Sequence, residues 1–167
     1  MGIAVLAVVA VAAAALDPFP APVSGMARAS DGDSFRLGED RVRLLGLDAP
    51  ELAQNCTDAS GKSWPCGWAA RDRMAGLLAR NSVDCRPEGR DQYDRLLARC
   101  TVGGRDLGAI LVAEGLAISA GAYGGEQADA QRQKRGIWSG GFDTPRSWRD
   151  DHARPQGWRG WLSGFGL

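Results

Sequence analysis

The sequence lacks residues and motifs that mark several common classes of enzyme. It has a single histidine, His152, so little is available for histidine-dependent nucleases or Ser-His hydrolases, and we expect His152 to be an exposed residue of the tail. No glycine-rich phosphate loop of the P-loop kind occurs, and the cysteines show no Cys-x-x-Cys spacing typical of zinc sites. These absences argue against P-loop, zinc-binding and histidine-based chemistry.

The chain also has no excess of basic residues. Lysine and arginine total 20, aspartate and glutamate total 20, and the isoelectric point is near 6.6. This balance argues against non-specific nucleic-acid binding, which usually depends on clustered positive charge. However, 18 of the 20 cationic residues are arginine, the side chain best suited to planar phosphate recognition. The composition is therefore still compatible with a local basic patch on a molecule of neutral net charge.

No apolar run reaches the roughly 20 residues that a membrane-spanning helix needs. The uncharged run Ile3 to Leu16 has 14 residues, offers Ala-x-Ala at Ala13 to Ala15, and precedes a proline-rich segment at 17–23 that we expect to be an extended linker. This pattern predicts a signal peptide over 1–16 and an exported protein. Because no Lys or Arg precedes the run, an uncleaved membrane anchor or a mis-set start codon is an alternative. A buried core helix is another, although the run has no polar face.

The four cysteines form an even number, which in an exported chain favours two disulfides. Cys85 precedes and Cys100 follows a turn-rich stretch, so these two could face each other across a hairpin. Cys56 and Cys66 would then close a second, shorter loop. The alternative interpretation is four buried thiols in a cytosolic protein.

Hydrophobic periodicity predicts strands first and mostly helices afterwards, which indicates one α+β domain. We expect strands over 24–30, 34–37, 41–47, 81–86 and 96–102, with Pro87, Glu88 and Gly89 in the last hairpin connection. We expect an amphipathic helix opening at Pro65, a second over 107–116, and a polar third over 126–135 that ends at Gly136. The domain is predicted to occupy 24–140.

Acidic residues in two short segments suggest a site for a hard cation. Asp33 lies beside the turn Asp31-Gly32-Asp33, and Asp48 lies at the end of a strand, followed by Ala49-Pro50. Two carboxylates, the main-chain carbonyl of Ala49 and waters would make a plausible oxygen shell for Ca²⁺. Glu51 is near enough to Asp48 to orient or deprotonate a water.

Two arginines could supply the positive charge that phosphoryl transfer needs. The alternation in Arg41-Val42-Arg43-Leu44 places Arg43 on the outer face of a strand, from which it can reach a surface site. Arg95 follows Tyr93-Asp94 in a separate segment. Two arginines on different strands can clamp a phosphate from both sides. The residues together predict a metal-dependent nuclease.

The order of these motifs resembles that of the staphylococcal nuclease (thermonuclease) family over about Ala27 to Trp138. The motifs are Asp31-Gly32-Asp33-Ser34, Arg43 through Glu51, Tyr93-Asp94-Arg95, Glu114-Gly115-Leu116-Ala117 and Gly136-Ile137-Trp138. The resemblance implies a five-stranded OB-fold β-barrel with three helices. It also implies a monomer that hydrolyses DNA and RNA to 3′-phosphate products without an obligate protein partner.

Roles for individual residues follow from the resemblance. Asp33, Asp48 and the carbonyl of Ala49 would ligate Ca²⁺, and Glu51 would act as the general base. Arg43 and Arg95 would bind the scissile phosphate, and Tyr93 and Tyr123 would contact the substrate.

At three positions the sequence differs from the usual pattern of that family in ways that bear on substrate binding. Asp94 replaces a common glycine and could tether Arg95 away from phosphate or point to solvent. Gln92 replaces a frequent lysine, and Gly121 replaces one of two tyrosines.

The tail over 141–167 combines tryptophan with glycine, and Gly157, Gly160, Gly164 and Gly166 argue against a stable helix there. We expect it to be flexible or to drape over the barrel, although aromatics alternating with arginine could also stack single-stranded bases. Two alternatives to an exported nuclease stay open: an OB-fold binding module without turnover, and a protein tethered to a membrane by its leader.

Overall fold

The computed structural model describes residues 20–153. The predicted signal peptide, residues 17–19 of the predicted linker and the tail beyond residue 153 therefore lie outside the described residues. No helix within the described part is both long and apolar enough to cross a membrane.

Ten strands and four α-helices follow one another along the described chain. The strands are β1 (Val23–Ala29), β2 (Ser34–Leu37), β3 (Asp40–Leu44), β4 (Leu47–Asp48), β5 (Cys56–Thr57), β6 (Ser63–Trp64), β7 (Ser82–Arg90), β8 (Leu96–Val102), β9 (Arg105–Asp106) and β10 (Ile118–Ser119). The helices are α1 (Cys66–Leu78), α2 (Leu107–Ala113), α3 (Gly124–Arg132) and α4 (Pro145–Ala153), with a 3₁₀ turn at Gly136–Ser139 between the last two.

Five strands close into a barrel. β1 lies between β2 and β7, β3 pairs with β2, and β8 pairs with β7, all antiparallel. A parallel pairing of β3 with β8 closes the ring, and closure leaves no long free edge. The predicted fold class, an α+β five-stranded OB-fold barrel with three helices, is confirmed, and α4 is a further helix that was not predicted.

Strand alternation fills the barrel interior with apolar side chains. In β3, Val42 and Leu44 are buried while Arg41 is exposed and Arg43 is half-buried, as predicted from the alternating pattern. Ala70, Met74 and Leu78 recur along one face of α1 and are buried in the same core.

The β7–β8 hairpin differs from its prediction. β7 does not end at Arg86 but continues through Pro87 to Arg90, and the turn lies after it. The register shifts between Pro87 and Gly89, which leaves Glu88 as the extra residue of a bulge. A bulge is one of the few positions where a strand tolerates proline, so the turn-forming residues were misassigned.

The C-terminal region also differs from its prediction, because α4 begins at Pro145 within the segment expected to lack a stable helix. Thr144 precedes it, and its hydroxyl accepts a hydrogen bond from the Ser147 amide at 3.2 Å. A threonine cap followed by proline in the first turn is a typical helix start. The glycines that argued against a helix all lie further along the chain, beyond the described residues. His152, in α4, is exposed as predicted.

Both predicted disulfides are present. Cys85 and Cys100 are directly opposed across β7 and β8, and Cys56 joins Cys66 at the start of α1. The Cys56–Cys66 pair belongs to a second small core that contains Ile137 and packs against Trp138 and Phe142.

Candidate active site

The candidate site is built where the β1–β2 turn meets the chain after β3. Asp31 shapes the turn, because its Oδ1 accepts hydrogen bonds from the amides of Asp33 (3.0 Å) and Ser34 (2.7 Å). Gly32 packs closely here: a Cβ at this position would lie 2.7 Å from the Cβ atoms of Ala49 and Ala70. The turn is thereby wedged between α1 and the loop after β4, and it places Asp33 inside the fold.

Asp33 is a buried carboxylate with only 4% of its surface exposed. Its Oδ1 accepts a bond from the Ser34 hydroxyl at 2.9 Å, and its Oδ2 accepts one from the Ala49 amide at 3.2 Å. Burial raises the pKa of Asp33 to about 7, although the Arg43 guanidinium opposes the shift. The interior therefore holds a carboxylate that lacks full compensation of its charge.

Arg43 brings the first two acids together. Its Nη2 lies 2.9 Å from Oδ2 of Asp33 and 2.8 Å from Oδ1 of Asp48. Asp48 lies in β4, which pairs with β10, so a strand fixes its backbone. One guanidinium nitrogen thus bridges two carboxylates that come from positions 15 residues apart in sequence.

Glu51 is placed by a tight loop against α1. A Cβ at Gly67 would lie 1.9 Å from the carbonyl oxygen of Glu51, so only glycine allows α1 to approach this closely. The amide of Glu51 donates to Oε1 of Gln54 at 3.1 Å, and the amide of Gln54 donates back to the carbonyl of Glu51 at 2.7 Å. Gln54 is almost fully buried, and the sequence reasoning missed it.

Arg149 of α4 completes the cluster, and sequence reasoning missed it too. Its Nη1 lies 3.1 Å from Oδ1 of Asp48 and 2.7 Å from Oε1 of Glu51. Its Nη2 lies 2.9 Å from Oδ2 of Asp48. Hydrogen bonds to Asp48, together with those to Glu51, raise the pKa of Arg149 despite partial burial. The only signal in the sequence was the helix start at Thr144-Pro145.

Arg95 and Tyr93 form a neighbouring cluster. Val42 and Leu96 are paired across β3 and β8 and are both buried, so Arg43 and Arg95, which flank them, point to the outer face. Nε of Arg95 donates to Oδ2 of Asp91 at 2.7 Å, and its guanidinium lies 5.5 Å from the Tyr93 ring centre. Arg95 makes no hydrogen bond to Asp33, Asp48 or Glu51 within the described chain.

Asp94 does not tether Arg95. Its side chain is 79% exposed and lies 3.2 Å from Nη1 of Arg90. Asp91, which the sequence reasoning did not single out, binds Arg95 instead. The acid that could hold Arg95 away from phosphate is therefore Asp91 and not Asp94.

Tyr123 lies against α2 rather than among the carboxylates. Its ring covers Gly108, where a Cβ would meet it at 2.6 Å. Burial, followed by the neighbouring Asp106 carboxylate, raises the pKa of Tyr123 to about 12. Tyr93, in contrast, is 60% exposed and available to a ligand.

The donors around Asp33 and Asp48 suit a hard cation by their chemistry. They are oxygen atoms only, and Asp33 is buried with its charge only partly compensated. Within residues 20–153, however, no three acidic, histidine or cysteine side chains are grouped closely enough to hold a metal ion. Two carboxylates are instead bridged by Arg43, and Arg149 is placed between Asp48 and Glu51.

Residues 41–140 match the sequence model of a family described as Staphylococcal nuclease homologue, more than half of the chain. The chain belongs to this family. The matched region of this family member contains Arg43, Asp48, Glu51 and Arg95, whereas Arg149 follows it. The resemblance inferred from the motifs is confirmed.

Curated relatives match parts of their own length. "Succinoglycan biosynthesis protein ExoI" of Rhizobium meliloti (strain 1021) is 34% identical over 124 residues, covering 70% of this chain and 65% of that protein. A "Probable endonuclease LCL3" of Scheffersomyces stipitis is 32% identical over 131 residues, covering 68% of this chain and 54% of that protein. An "Uncharacterized endonuclease" of Escherichia coli O157:H7 is 29% identical over 129 residues, covering 71% of this chain and 78% of that protein. The chain spans less than two thirds of the first two relatives.

Proposed function

We propose that this protein is a calcium-dependent nuclease that hydrolyses phosphodiester bonds of DNA and RNA and leaves 3′-phosphate products. The observation that carries the proposal is one ion-pair network, in which Arg43 joins the buried Asp33 to Asp48 and Arg149 joins Asp48 to Glu51. Membership of the family and the endonuclease names of two relatives support it.

The chain's own residues have distinct parts in this reaction. Glu51, which is only partly buried, would accept the proton of an attacking water. Arg43 and Arg95 point to the same outer face and would stabilise the negative charge that builds on the phosphate oxygens.

Asp33, Asp48 and the carbonyl of Ala49 would hold the cation. When bound, a calcium ion supplies positive charge close to the phosphate and makes a water more acidic. The burial of Asp33, whose charge Arg43 compensates only in part, supports this placement, because a cation there would stabilise the ionised carboxylate.

A row of exposed arginines supports nucleic acid as the substrate class. Arg28 is directly opposed to Arg36 across β1 and β2, and Arg36 is opposed to Arg41 across β2 and β3. None of the three has an ion-pair partner among residues 20–153. Like charges in directly opposed positions destabilise a sheet, so this row suits a bound polyanion. Arg41 shares its strand face with Arg43, and the row therefore leads into the site.

The proposal is tested with end-labelled single-stranded DNA and RNA oligonucleotides, incubated with the full chain in millimolar Ca²⁺ or in excess chelator. We expect cleavage with calcium, loss of cleavage with chelator, and fragments that a 3′ polymerase extends only after phosphatase treatment. Glu51→Gln should abolish cleavage, while Glu39→Gln, at an exposed position in the β2–β3 turn, should retain it. Intact oligonucleotides under every metal condition would falsify the proposal.

A second candidate is an OB-fold module that binds nucleic acid without turnover. One observation favours it: the carboxylates needed for catalysis are already paired with Arg43 and Arg149. Binding of the same labelled oligonucleotides without cleavage at any calcium concentration would select this candidate.

We also propose export of a monomeric protein. Both disulfides support an oxidising compartment, where such bonds persist. Mass spectrometry of the mature N-terminus tests this, since export predicts a free amine near Leu16 or Asp17, whereas an uncleaved anchor predicts Met1 or Gly2.

A further inference from the structure

The contacts of Arg149 occupy the acids that the proposed reaction needs. Asp48 receives bonds at both oxygens, from Arg43 at Oδ1 and from the two Nη atoms of Arg149 at Oδ1 and Oδ2. Glu51 is bonded by Nη1 of the same guanidinium. One positively charged group thus joins the proposed cation ligand to the proposed general base.

A guanidinium in this place repels a second cation. Two positive groups already compensate the charge of Asp48, and a divalent ion at the same carboxylate would bring like charge close to both. Arg43 also pairs with the buried Asp33, but Arg149 reaches the site from a separate helix and its side chain is 40% exposed. Of the two arginines bound to Asp48, Arg149 is therefore the one whose guanidinium water can solvate more readily when the contact opens.

The base of α4 is fixed beside the site. The amide of Thr57 donates to the carbonyl of Gly141 at 2.8 Å, and the amide of Gly141 donates to the Thr57 hydroxyl at 2.9 Å. Nε2 of the buried Gln54 donates to the carbonyl of Asp143 at 2.6 Å. Since Gln54 also bonds the Glu51 amide, the loop that carries Glu51 and the segment before α4 form one connected unit. The guanidinium of Arg149 is thus kept close to Asp48 even when it is released.

We propose that Arg149 is a built-in competitor of the divalent cation: it holds Asp48 and Glu51 in the metal-free protein and gives up Asp48 when calcium binds. The inference rests on the proposed function, because it takes Asp48 as a calcium ligand. The apparent calcium affinity is then the intrinsic affinity multiplied by the fraction of molecules in which the Arg149–Asp48 contact is open. By reciprocity, calcium binding opens the Arg149–Asp48 contact.

Calcium titration by isothermal calorimetry on the full chain tests this inference without depending on catalysis. Arg149→Gln removes the charge and should tighten calcium binding roughly tenfold, as expected for a contact closed about nine tenths of the time. Arg146→Gln is the matched control, because Arg146 lies on the same helix, is exposed, and has no ion pair within the described chain. It should leave calcium affinity within about twofold, since exposed charges outside the site are screened.

Calcium affinity that is unchanged or weaker in Arg149→Gln would overturn the inference. Should that variant fail to fold, the wild-type chain gives the answer through the NMR signals of its arginine Nε–H groups. Calcium should shift the Arg149 signal in proportion to binding and leave the Arg146 signal in place; an unmoved Arg149 signal overturns the inference. Absence of calcium binding from all variants also overturns it; cleavage of oligonucleotides by the same preparation would then leave nuclease activity standing and contradict only its dependence on calcium.

Discussion

Arg95 offers the sharpest residue-scale test of the phosphate clamp, because it has a matched neighbour in the same hairpin. Arg95→Ala should lower kcat/KM for a single-stranded oligonucleotide by roughly 10²- to 10³-fold, the loss typical when one transition-state donor is removed. Arg90→Ala is the control, since Arg90 pairs with the peripheral acids Asp40 and Asp94. Equal activity losses in the two variants would show that the hairpin, rather than the Arg95 guanidinium, matters.

The burial of Asp33 makes a prediction about stability rather than activity. The pKa of an unfolded aspartate is 3.8 and that of Asp33 in the fold is about 7, so the unfolded chain ionises first as pH rises. The stability of the metal-free protein therefore falls between about pH 4 and pH 7. Asp33→Asn removes this ionisation and should raise the free energy of unfolding at pH 8 by on the order of 4 kcal/mol.

Urea denaturation in chelator at several pH values measures this gain. The advantage of Asp33→Asn should shrink towards zero as the pH falls below 3.8, because the Asp33 carboxyl of the wild type is then protonated in both the folded and the unfolded chain. Asp72→Asn, at an exposed position, should change stability little at any pH. An Asp33→Asn variant less stable than the wild type at pH 8 would contradict the argument.

Residue chemistry was predictable from the sequence where a motif is local. Asp33, Asp48 and Glu51 lie in two short segments, and strand alternation predicted the outward face of Arg43, which in the structure pairs with Asp33 and Asp48. Arg149 was not predictable, because its contacts join residues about a hundred positions apart and depend on where α4 packs. The same is true of Gln54, whose side chain joins the Glu51 loop to the carbonyl of Asp143, 89 positions further along the chain.

At the scale of elements, hydrophobic periodicity predicted the strands and the first helices, because each of these elements buries one face. The predicted strand ended before Pro87, whereas β7 continues to Arg90, because proline in a sequence indicates a turn unless the bulge that follows it is known. The helix α4 was missed because its region was judged by glycines that come after its end. The local signal for this helix was the Thr144-Pro145 start, which the glycine content of the whole segment obscured.

The three opposed arginines of β1, β2 and β3 make a prediction at this scale. If they track a nucleic-acid backbone, Arg36→Gln should weaken oligonucleotide binding and reduce the slope of log affinity against log salt by about one. Arg36 is the middle member, so its loss should also slightly stabilise the sheet by relieving repulsion from Arg28 and Arg41.

Fluorescence anisotropy with a labelled oligonucleotide, in calcium-free buffer at several salt concentrations, gives the slope. Arg105→Gln serves as the control, because β9 pairs with β8 at Thr101 and Val102, away from the residues of β8 that pair with β3. An unchanged slope in Arg36→Gln would show that the substrate does not cross these strands.

At the scale of the whole molecule, neutral net charge and a nucleic-acid substrate are compatible because charge is locally separated. Many of the described arginines are paired with acids, among them Arg73 with Glu114 and Arg99 with Glu88. The unpaired row on β1 to β3 lies on one side of the barrel. Composition alone could not distinguish this arrangement from an evenly mixed surface.

One disulfide lies in the barrel and the other lies near the candidate site. Removing each in turn should therefore have similar effects on stability and different effects on activity. Cys85 and Cys100 join two strands that already pair, whereas Cys56–Cys66 links the loop after Glu51 to α1 and packs against Trp138 and Phe142, which precede α4. Replacing either pair with serine should lower the free energy of unfolding by about 2 to 4 kcal/mol.

Only the Cys56→Ser/Cys66→Ser variant should also lose cleavage rate under conditions where both variants remain folded, because it loosens the support of Glu51 and Arg149. Urea denaturation gives the stability of each variant, and oligonucleotide cleavage at low temperature gives its rate. Equal rates in the two variants would show that the Glu51 loop keeps its geometry through Gln54 and Gly67 alone, without the covalent link.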